Sequence, residues 1–229
     1  MKIGIIGNEP AGPVLAKAWA QAGHELVGAF VDTPEALERI EVLLPDLPVS
    51  KMAAVAEDAD LVLLAVPESD IENTCDGLTD LGLFGPKKLV VHLSPTKGYG
   101  ALASAGLVGA VPIALHPVMH FTGTSVDLLV LKNSTIAVSA PEVLMPIAQA
   151  LAIELGGEPV VVLEEQRPAY AEAFEVASSF SSLVVQQALG ILEEAQVPDP
   201  AKLIGPVVRS AVEKALYKPV PPLSPEDAE

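Results

Sequence analysis

The sequence predicts an α/β protein with a doubly wound, mostly parallel sheet followed by a short all-α C-terminal domain. Three observations support this fold class. Short apolar runs alternate with helical stretches through the first two thirds of the chain. A glycine-rich turn joins the first apolar run to the first helical stretch, and beyond Leu163 the apolar runs give way to two long helical patterns.

Seven apolar runs are predicted to be β-strands, and most are continuous rather than alternating in polarity. Continuous runs are typical of parallel strands that helices cover on both faces. The predicted strands are residues 2–7, 25–31, 61–66, 89–93, 111–115, 135–139 and 159–163. The helical stretches between them are residues 12–22, 34–44, 52–57, 69–81 and 141–155.

The pattern changes after Leu163. Apolar residues such as Tyr170 and Phe174 then recur at spacings of three and four, which predicts one long helix over residues 168–196. A second helix is predicted from about residue 201, and the Pro-rich, acidic end of the chain predicts a disordered tail. The predicted domains are a sheet domain (1–164), a helical domain that forms a dimer (165–217) and the tail (218–229).

Composition excludes several functional classes. The 229 residues include 13 Lys+Arg and 30 Asp+Glu, giving a formal charge of −17, so neither a nucleic acid nor a membrane surface is an expected partner. Mean hydropathy is +0.44, yet no apolar run approaches the roughly 20 residues of a membrane-spanning helix. Asn8 and Glu9 end the first apolar run too early for a signal peptide, so a cytoplasmic protein is expected.

The turn after the first strand has the frame of a dinucleotide-binding fingerprint. Gly7 and Gly12 stand at the first and last glycine positions of G-x-G-x-x-G, between a predicted strand and a predicted helix. Asp32 ends the second predicted strand, where a carboxylate would bind a ribose hydroxyl. This context predicts a Rossmann-type architecture for the sheet domain.

The centre of the same turn departs from the fingerprint. Glu9 replaces the middle glycine and adds a negative charge where a pyrophosphate would approach. Pro10 removes a backbone N–H from the helix N-terminus that would hold the anion. A purely structural interpretation is equally consistent, since Asn8 is a good N-cap and Glu9 and Pro10 suit a first helical turn. Glu9 and Pro10 therefore predict that any dinucleotide binds weakly.

Several motifs together resemble a known group of proteins. Ile3-Gly4-Ile5-Ile6-Gly7 and Asp60-Leu61-Val62-Leu63-Leu64-Ala65-Val66-Pro67 resemble the 6-phosphogluconate-dehydrogenase-like and pyrroline-carboxylate-reductase-like superfamily. Val91-His92-Leu93-Ser94 and Leu115-His116-Pro117, followed by Phe121-Thr122-Gly123, resemble its Rossmann-like members that carry DUF2520. The resemblance implies an oxidoreductase that uses NAD or NADP, with a helical C-terminal domain that completes the site and makes a homodimer.

The site residues follow from the turn and from this resemblance. His116 comes just after a strand, where open α/β sheets bind ligands, and is the candidate acid–base residue, although a structural histidine is the competing interpretation. Ser179 stands where relatives carry an asparagine and is the second candidate catalytic residue, whereas Ala171 replaces their histidine. The candidate cofactor-binding residues are Gly7, Asn8, Ala11, Gly12, Asp32, Ala65, Val66, Pro67 and Ser94.

No metal site is expected. His92, His116 and His120 lack a converging fourth ligand, and Cys75 is the only cysteine.

Two functions of different classes remain. The first is an NAD(P)-dependent oxidoreductase acting on an unidentified small molecule, with NAD favoured because Asp32 would repel a 2′-phosphate. The alternative is a non-catalytic Rossmann-fold dimer whose degenerate dinucleotide site binds a small ligand or a partner protein. A partial likeness of residues 116–119 to dehydrogenases of prephenate-like acids is a third, weaker hypothesis.

Overall fold

A seven-stranded sheet is the centre of the N-terminal unit in the computed structural model, which describes residues 1–217. Its strands are β1 (Lys2–Ile6), β2 (Glu25–Phe30), β3 (Leu61–Leu64), β4 (Leu89–His92), β5 (Val111–Pro117), β6 (Thr135–Ser139) and β7 (Glu158–Val161). They lie in the order β2-β1-β3-β4-β5-β6-β7. β1 to β5 are parallel, β6 is antiparallel to β5, and β7 is parallel to β6. The predicted fold class is confirmed.

Helices follow most of the strands. They are α1 (Ala11–Gln21), α2 (Pro34–Leu43), α3 (Met52–Asp58), α4 (Ile71–Asp80), α5 (Ala103–Leu107), α6 (Asp127–Leu131), α7 (Met145–Glu154) and α8 (Arg167–Glu175). The five helices predicted between strands correspond to α1, α2, α3, α4 and α7. The sequence analysis missed α5 and α6, because five residues are too few for a periodic pattern.

The alternation of side chains along each strand divides the core into two layers. Ile5 and its neighbours on one face pack with α1, α2 and α7, while Ile6 and its neighbours on the other face pack with α3, α4 and α5. Trp19 of α1 is fully buried, and its indole N–H donates to the carbonyl of Leu151 in α7 at 3.1 Å. This bond fastens the two helices of the first layer to each other.

The connections diverge between β1 and β3. α1 and α2, which follow β1 and β2, cover one face, whereas α3, α4 and α5 cover the other. A crevice forms at such a switch point, outside the carboxyl ends of the strands, and ligands of open α/β sheets bind there. The fold thus places the loops after β1, β3, β4 and β5 along one functional edge.

The first unit comprises Met1–Glu172, and a second begins at Ala173. The predicted long helix consists of α8, a π-helical segment (Val176–Phe180) and α9 (Ser181–Glu194). The second predicted helix is α10 (Pro200–Tyr217), which continues through Pro206 and packs on α9. The predicted domain boundary after residue 164 stays a prediction, and the predicted tail lies outside the described residues.

No helix within residues 1–217 has both the length and the apolar character needed to cross a membrane.

Gly7 is required by the close approach of β1 to the end of β3. Its φ of +119° is rarely adopted by residues that carry a side chain, and a Cβ there would lie 2.2 Å from the carbonyl oxygen of Ala65. Backbone cannot move aside as the end of a side chain can. The turn therefore tolerates only glycine at its first position.

We expect Gly7→Ala to lower the free energy of unfolding by about 2–5 kcal/mol, through backbone strain and overpacking together. Gly77→Ala is the matched control, because Gly77 is exposed in α4 and a Cβ there meets nothing within 4 Å. The control should be neutral or stabilise by up to about 1 kcal/mol. Denaturant unfolding followed by circular dichroism measures both, and equal effects would contradict the close approach described above.

Candidate functional site

The glycine turn keeps two of the three features of the dinucleotide fingerprint. Gly7 permits the turn itself, and Gly12 lets α1 pack closely on β3, because a Cβ at Gly12 would lie 2.7 Å from the Cβ of Ala65. The centre is different. The backbone N–H of Glu9 donates to the carbonyl of Ala65 at 2.8 Å, and Pro10 has no N–H to offer. Two positions of the turn therefore present no backbone donor to an anion.

Asn8 and Asp32, both predicted cofactor-binding residues, are hydrogen-bonded to each other. Nδ2 of Asn8 donates to Oδ1 of Asp32 at 2.5 Å, and the backbone N–H of Asp32 donates to Oδ1 of Asn8 at 3.1 Å. Asp32 is exposed at the end of β2. The reciprocal pair holds the carboxylate beside the turn, in the position that the fingerprint assigns to a ribose-binding residue.

Arg39 is a further residue of this region, which the sequence analysis missed. Its Nη2 donates to the backbone carbonyl of Asn8 at 2.6 Å from α2. The loop after β5 packs against it, since a Cβ on Gly123 would lie 2.5 Å from Cδ of Arg39 and 3.1 Å from Cβ of Pro10. An arginine shortly after the second strand was a usable signal, because such residues accompany dinucleotide sites.

A buried carboxylate holds the same loop. Asp127, only 2% exposed, accepts from the backbone N–H groups of Thr122 (2.9 Å) and Gly123 (2.8 Å) and from the hydroxyl of Thr122 (2.9 Å). These bonds fix the segment that covers Pro10 and Arg39.

Ser94, a predicted cofactor-binding residue, is engaged with its own loop after β4. Its hydroxyl donates to Oε2 of Glu68 at 2.5 Å and accepts from the backbone N–H groups of Thr96 and Lys97, each at 3.1 Å. The hydroxyl hydrogen and both lone pairs are thereby used. In this arrangement Ser94 shapes the loop, and its role toward a cofactor stays a prediction.

His92 is a neutral, structural histidine. The backbone N–H of Ser94 donates to Nδ1 at 3.2 Å, so Nε2 carries the proton and donates to the carbonyl of Gly98 at 2.8 Å. Burial lowers the pKa of His92 to about 4, with a smaller contribution from the charge of Arg167. His92 holds the segment after β4 against the sheet.

His116 meets two residues from the start of α8. Its Nδ1 lies 2.8 Å from the hydroxyl of Tyr170, in a hydrogen bond, and the guanidinium of Arg167 stacks 5.4 Å from the centroid of the Tyr170 ring. Burial lowers the pKa of His116 to about 4, and the charge of Arg167 lowers it further. At neutral pH the imidazole is uncharged, and its lowered pKa makes it a weaker proton acceptor than a free histidine.

The strand register explains why the side chains of His92 and His116 lie on the same face of the sheet. His92 pairs with Ala114, two residues before His116 in β5. Because side chains alternate along a strand, both rings emerge on the face opposite Leu115. The segment that carries Arg167 and Tyr170 covers that face, within the same unit.

The remaining predicted site residues are distributed as follows. The carbonyl of Ala65 receives the N–H of Glu9, Val66 is half-buried, and Pro67 is exposed beside them. Ala11 and Gly12 begin α1. Ser179 is exposed in the π-helical segment of the second unit, and its catalytic role stays a prediction.

Within residues 1–217 no three His, Cys, Asp or Glu side chains are grouped to hold a metal ion.

Two family models match the chain. The model of a Rossmann-like domain matches residues 1–117, and that of a domain of unknown function, DUF2520, matches residues 134–222. No curated protein matches the sequence.

Solved structures share the fold at low identity. A protein of Bacteroides fragilis assigned as an NADP oxidoreductase is 19% identical, with a TM-score of 0.75 over 100% of this chain and 83% of its own. Pyrroline-5-carboxylate reductase from Streptococcus pyogenes is also 19% identical, with a TM-score of 0.66 and the same coverage. A semialdehyde dehydrogenase NAD-binding protein from Cupriavidus necator, solved with calcium and NAD, is 16% identical, with a TM-score of 0.68 over 99% and 87% of the two chains.

The two buried histidines predict an acid-sensitive fold. Between pH 6.5 and about 4 the unfolded chain binds protons at His92 and His116 that the folded protein does not bind. The free energy of unfolding should therefore fall as the pH falls through this window, by roughly 1–3 kcal/mol per histidine. Above pH 6.5 neither histidine contributes a slope.

Urea unfolding at several pH values tests this. His116→Gln should flatten the dependence between pH 6.5 and 4.5, whereas His120→Gln, at an exposed position, should leave it unchanged. An unchanged slope in His116→Gln would show that the imidazole of His116 titrates normally in the folded protein.

Proposed function

The chain belongs to the Rossmann-like proteins that carry a DUF2520 domain, and from this we propose that it is an oxidoreductase that uses a nicotinamide dinucleotide and acts on a small molecule. One observation carries the proposal. The turn of Gly7 and Gly12 opens α1 beside Asp32, at the switch point of a parallel sheet. The similarity to an NADP oxidoreductase and to a pyrroline-5-carboxylate reductase supports the same class of chemistry.

The residues around the glycine turn fit a dinucleotide, except that the position of its phosphates is weakened. Asp32 is exposed and can accept hydrogen bonds from a ribose, and its negative charge favours NAD over NADP. Gly7 permits the tight turn, and Gly12 allows close packing of α1. The phosphate position is weaker, because Glu9 and Pro10 present no backbone donor. We propose that Ala65, Val66, Pro67 and the loop of Ser94 line the nicotinamide end.

A nicotinamide ring, when bound, gives or takes a hydride. The chain's own residues supply the environment for that step. His116 is the proposed catalytic residue, and Tyr170 holds its Nδ1 and so sets the orientation of the ring. With its pKa lowered to about 4, His116 is neutral and only weakly basic at physiological pH, which suits a hydrogen-bonding group facing a substrate better than a proton carrier. We also propose Ser179, which lies in the second unit, as a catalytic residue.

The alternative of a non-catalytic protein with a degenerate dinucleotide site is favoured by one specific feature. The N–H of Glu9 is already satisfied by Ala65, and Pro10 packs near Gly123. The protein thereby occupies with its own groups part of the place where a phosphate would lie. On this alternative the crevice binds a small ligand or a partner protein, and no turnover occurs.

Substitution of Glu9 should distinguish the oxidoreductase from the non-catalytic alternative. We expect Glu9→Gly to tighten NAD binding about tenfold, equivalent to about 1.4 kcal/mol, by removing a carboxylate near the phosphates. Glu9 is exposed, so solvent screens the repulsion and a larger effect is not expected. Glu9→Gly with Pro10→Ala should bind more tightly still, because a backbone donor is restored.

Calorimetric titration with NAD and NADP provides the measurement. Glu9→Gln separates charge from bulk, and Glu158→Gln, at an exposed position on β7, is the matched control for removing one negative charge. Failure of every variant to bind either dinucleotide would favour the non-catalytic alternative. Tight binding by the unmodified protein that Glu9→Gly leaves unchanged would show that the phosphates lie elsewhere.

We also propose that the protein is a homodimer through its second unit. Large apolar side chains of this unit are each more than half exposed in the single chain: Phe180, Leu183, Val184, Ile191, Leu203, Val207, Val212 and Leu216. Contiguous apolar surface of this kind marks interaction sites in proteins. A second copy is the simplest occupant, since a two-fold interface matches the same surface with itself.

Light scattering should give twice the chain mass of 23.7 kDa at micromolar concentration. Leu183→Glu and Val207→Glu should each shift the population toward the monomer, because they place a charge in a desolvated interface. Leu107→Glu, at a position 89% exposed on the first unit, should not. A monomeric unmodified protein would contradict the proposal.

A further inference from the structure

Arg167 is an unusual residue for a protein interior. It is the only Lys or Arg among residues 1–217 that is buried, with 2% of its surface exposed. It also makes no ion pair with a carboxylate of the described residues. Glu164, three residues earlier, instead accepts from the backbone N–H of Gly100 at 3.0 Å and from the Ser139 hydroxyl at 3.4 Å. The guanidinium thus lies in the interior without a direct ion pair among the described residues, and the charge of Glu164 acts on it only at longer range.

The hydrogen bonds of Arg167 are equally incomplete. Nη1 makes one long bond, donating to the carbonyl of Pro95 at 3.3 Å, and the Tyr170 ring covers one face of the guanidinium. Nε and Nη2 are buried and have no acceptor among the described residues. These two nitrogens are neighbours whose N–H bonds run parallel, so they form the fork with which arginine grips a carboxylate through two bonds.

Such an arrangement is costly unless a ligand completes it. A guanidinium stays protonated at neutral pH even where burial lowers the pKa of Arg167. A buried charge without a partner, with two unsatisfied donors, destabilises the folded state. An anion that accepted both N–H groups would satisfy the donors and neutralise the charge together.

The position of Arg167 separates this anion from the phosphates of a dinucleotide. Arg167 bonds to Pro95, just after β4, and stacks on Tyr170, which bonds to His116 of β5. The glycine turn follows β1, and β3 lies between β1 and β4. Neighbouring strands are about 4.8 Å apart, so the two places are separated by about 10 Å across the sheet. An anion held by Arg167 would therefore lie beside His116.

We propose that Nε and Nη2 of Arg167 bind the carboxylate of a small organic acid, and that this acid is the substrate of the proposed oxidoreductase. The assignment as substrate rests on the proposed function; the carboxylate site does not. A planar carboxylate matches two parallel donors. A phosphate ester would call for a second cation, and the nearby Lys97 is already paired with Glu72 at 2.6 Å.

The burial of the fork has a kinetic consequence. An acceptor that reaches Nε and Nη2 is shielded from water, which strengthens the ion pair. Entry then requires local opening of the residues over Arg167, and association is slower than simple collision allows.

Thermal unfolding in the presence of small carboxylates tests the site without any dinucleotide. Acetate, pyruvate and malonate, each compared with chloride at equal ionic strength, should raise the Tm of the unmodified protein in a concentration-dependent way. Arg167→Met should weaken this response roughly 100-fold, and Arg167→Lys about tenfold, because lysine keeps the charge and loses the fork. Arg209→Met, which removes an exposed arginine, should respond as the unmodified protein does.

A second readout separates binding from a purely structural role. Without ligand, Arg167→Met should unfold at a Tm equal to or above that of the unmodified protein, since it removes an unpaired buried charge. A lower Tm together with an unchanged carboxylate response would make Arg167 structural and overturn the proposal. The proposal would also be overturned if carboxylates did not raise the Tm of the unmodified protein. It would be overturned as well if only inorganic phosphate raised the Tm in a way that depends on Arg167.

The outcome is independent of the proposed oxidoreductase activity. Carboxylate binding that depends on Arg167, in a protein that binds no NAD or NADP, would support this site and refute the proposed function. NAD binding in a protein whose Tm does not respond to carboxylates would support the proposed function and refute the carboxylate site.

Discussion

The contact between the first turn and the end of β3 is the constraint on which the functional edge depends. The carbonyl of Ala65 leaves no room for a Cβ at Gly7 and also accepts the N–H of Glu9. A single backbone group thus determines where β1 ends and how the chain enters α1. With Gly12 packed against the same residue, α1 lies close to the sheet at the carboxyl ends of β1 and β3.

The two ends of this edge differ in their electrostatics. At the glycine turn the polar groups are exposed and pair with one another, as Asn8 does with Asp32. At the other end His92, His116 and Arg167 are buried, and desolvation is the main cause of their lowered pKa values. A chain with a formal charge of −17 therefore keeps a positive guanidinium inside its fold. A buried positive charge in a protein of negative net charge is a physical reason to look for a bound anion beside it.

The glycine turn and the Arg167 region also place different demands on a ligand. The turn retains the shape of a dinucleotide site and has lost donors at Glu9 and Pro10. Arg167 has two donors, Nε and Nη2, that lack an acceptor among the described residues. A ligand that depended on phosphate contacts would gain few hydrogen bonds at the glycine turn. A small acid would gain two hydrogen bonds at Arg167. The region around Arg167 and His116 is for this reason the more informative one about the ligand that we propose.

The sequence by itself determined the order of strands and helices, the fold class and the glycine frame with Asp32. These features are local, since apolar periodicity and the spacing of Gly7 and Gly12 are set within a few residues. The tertiary structure alone decided which polar groups meet. Arg167 bonds to Pro95, and Tyr170 bonds to His116, across separations of 72 and 54 residues that no periodicity records. Two donors of Arg167 lack an acceptor among residues 1–217, and the N–H of Glu9 has one. Both outcomes depend on how distant segments pack, because hydrogen-bond satisfaction is a property of the folded interior and not of the chain.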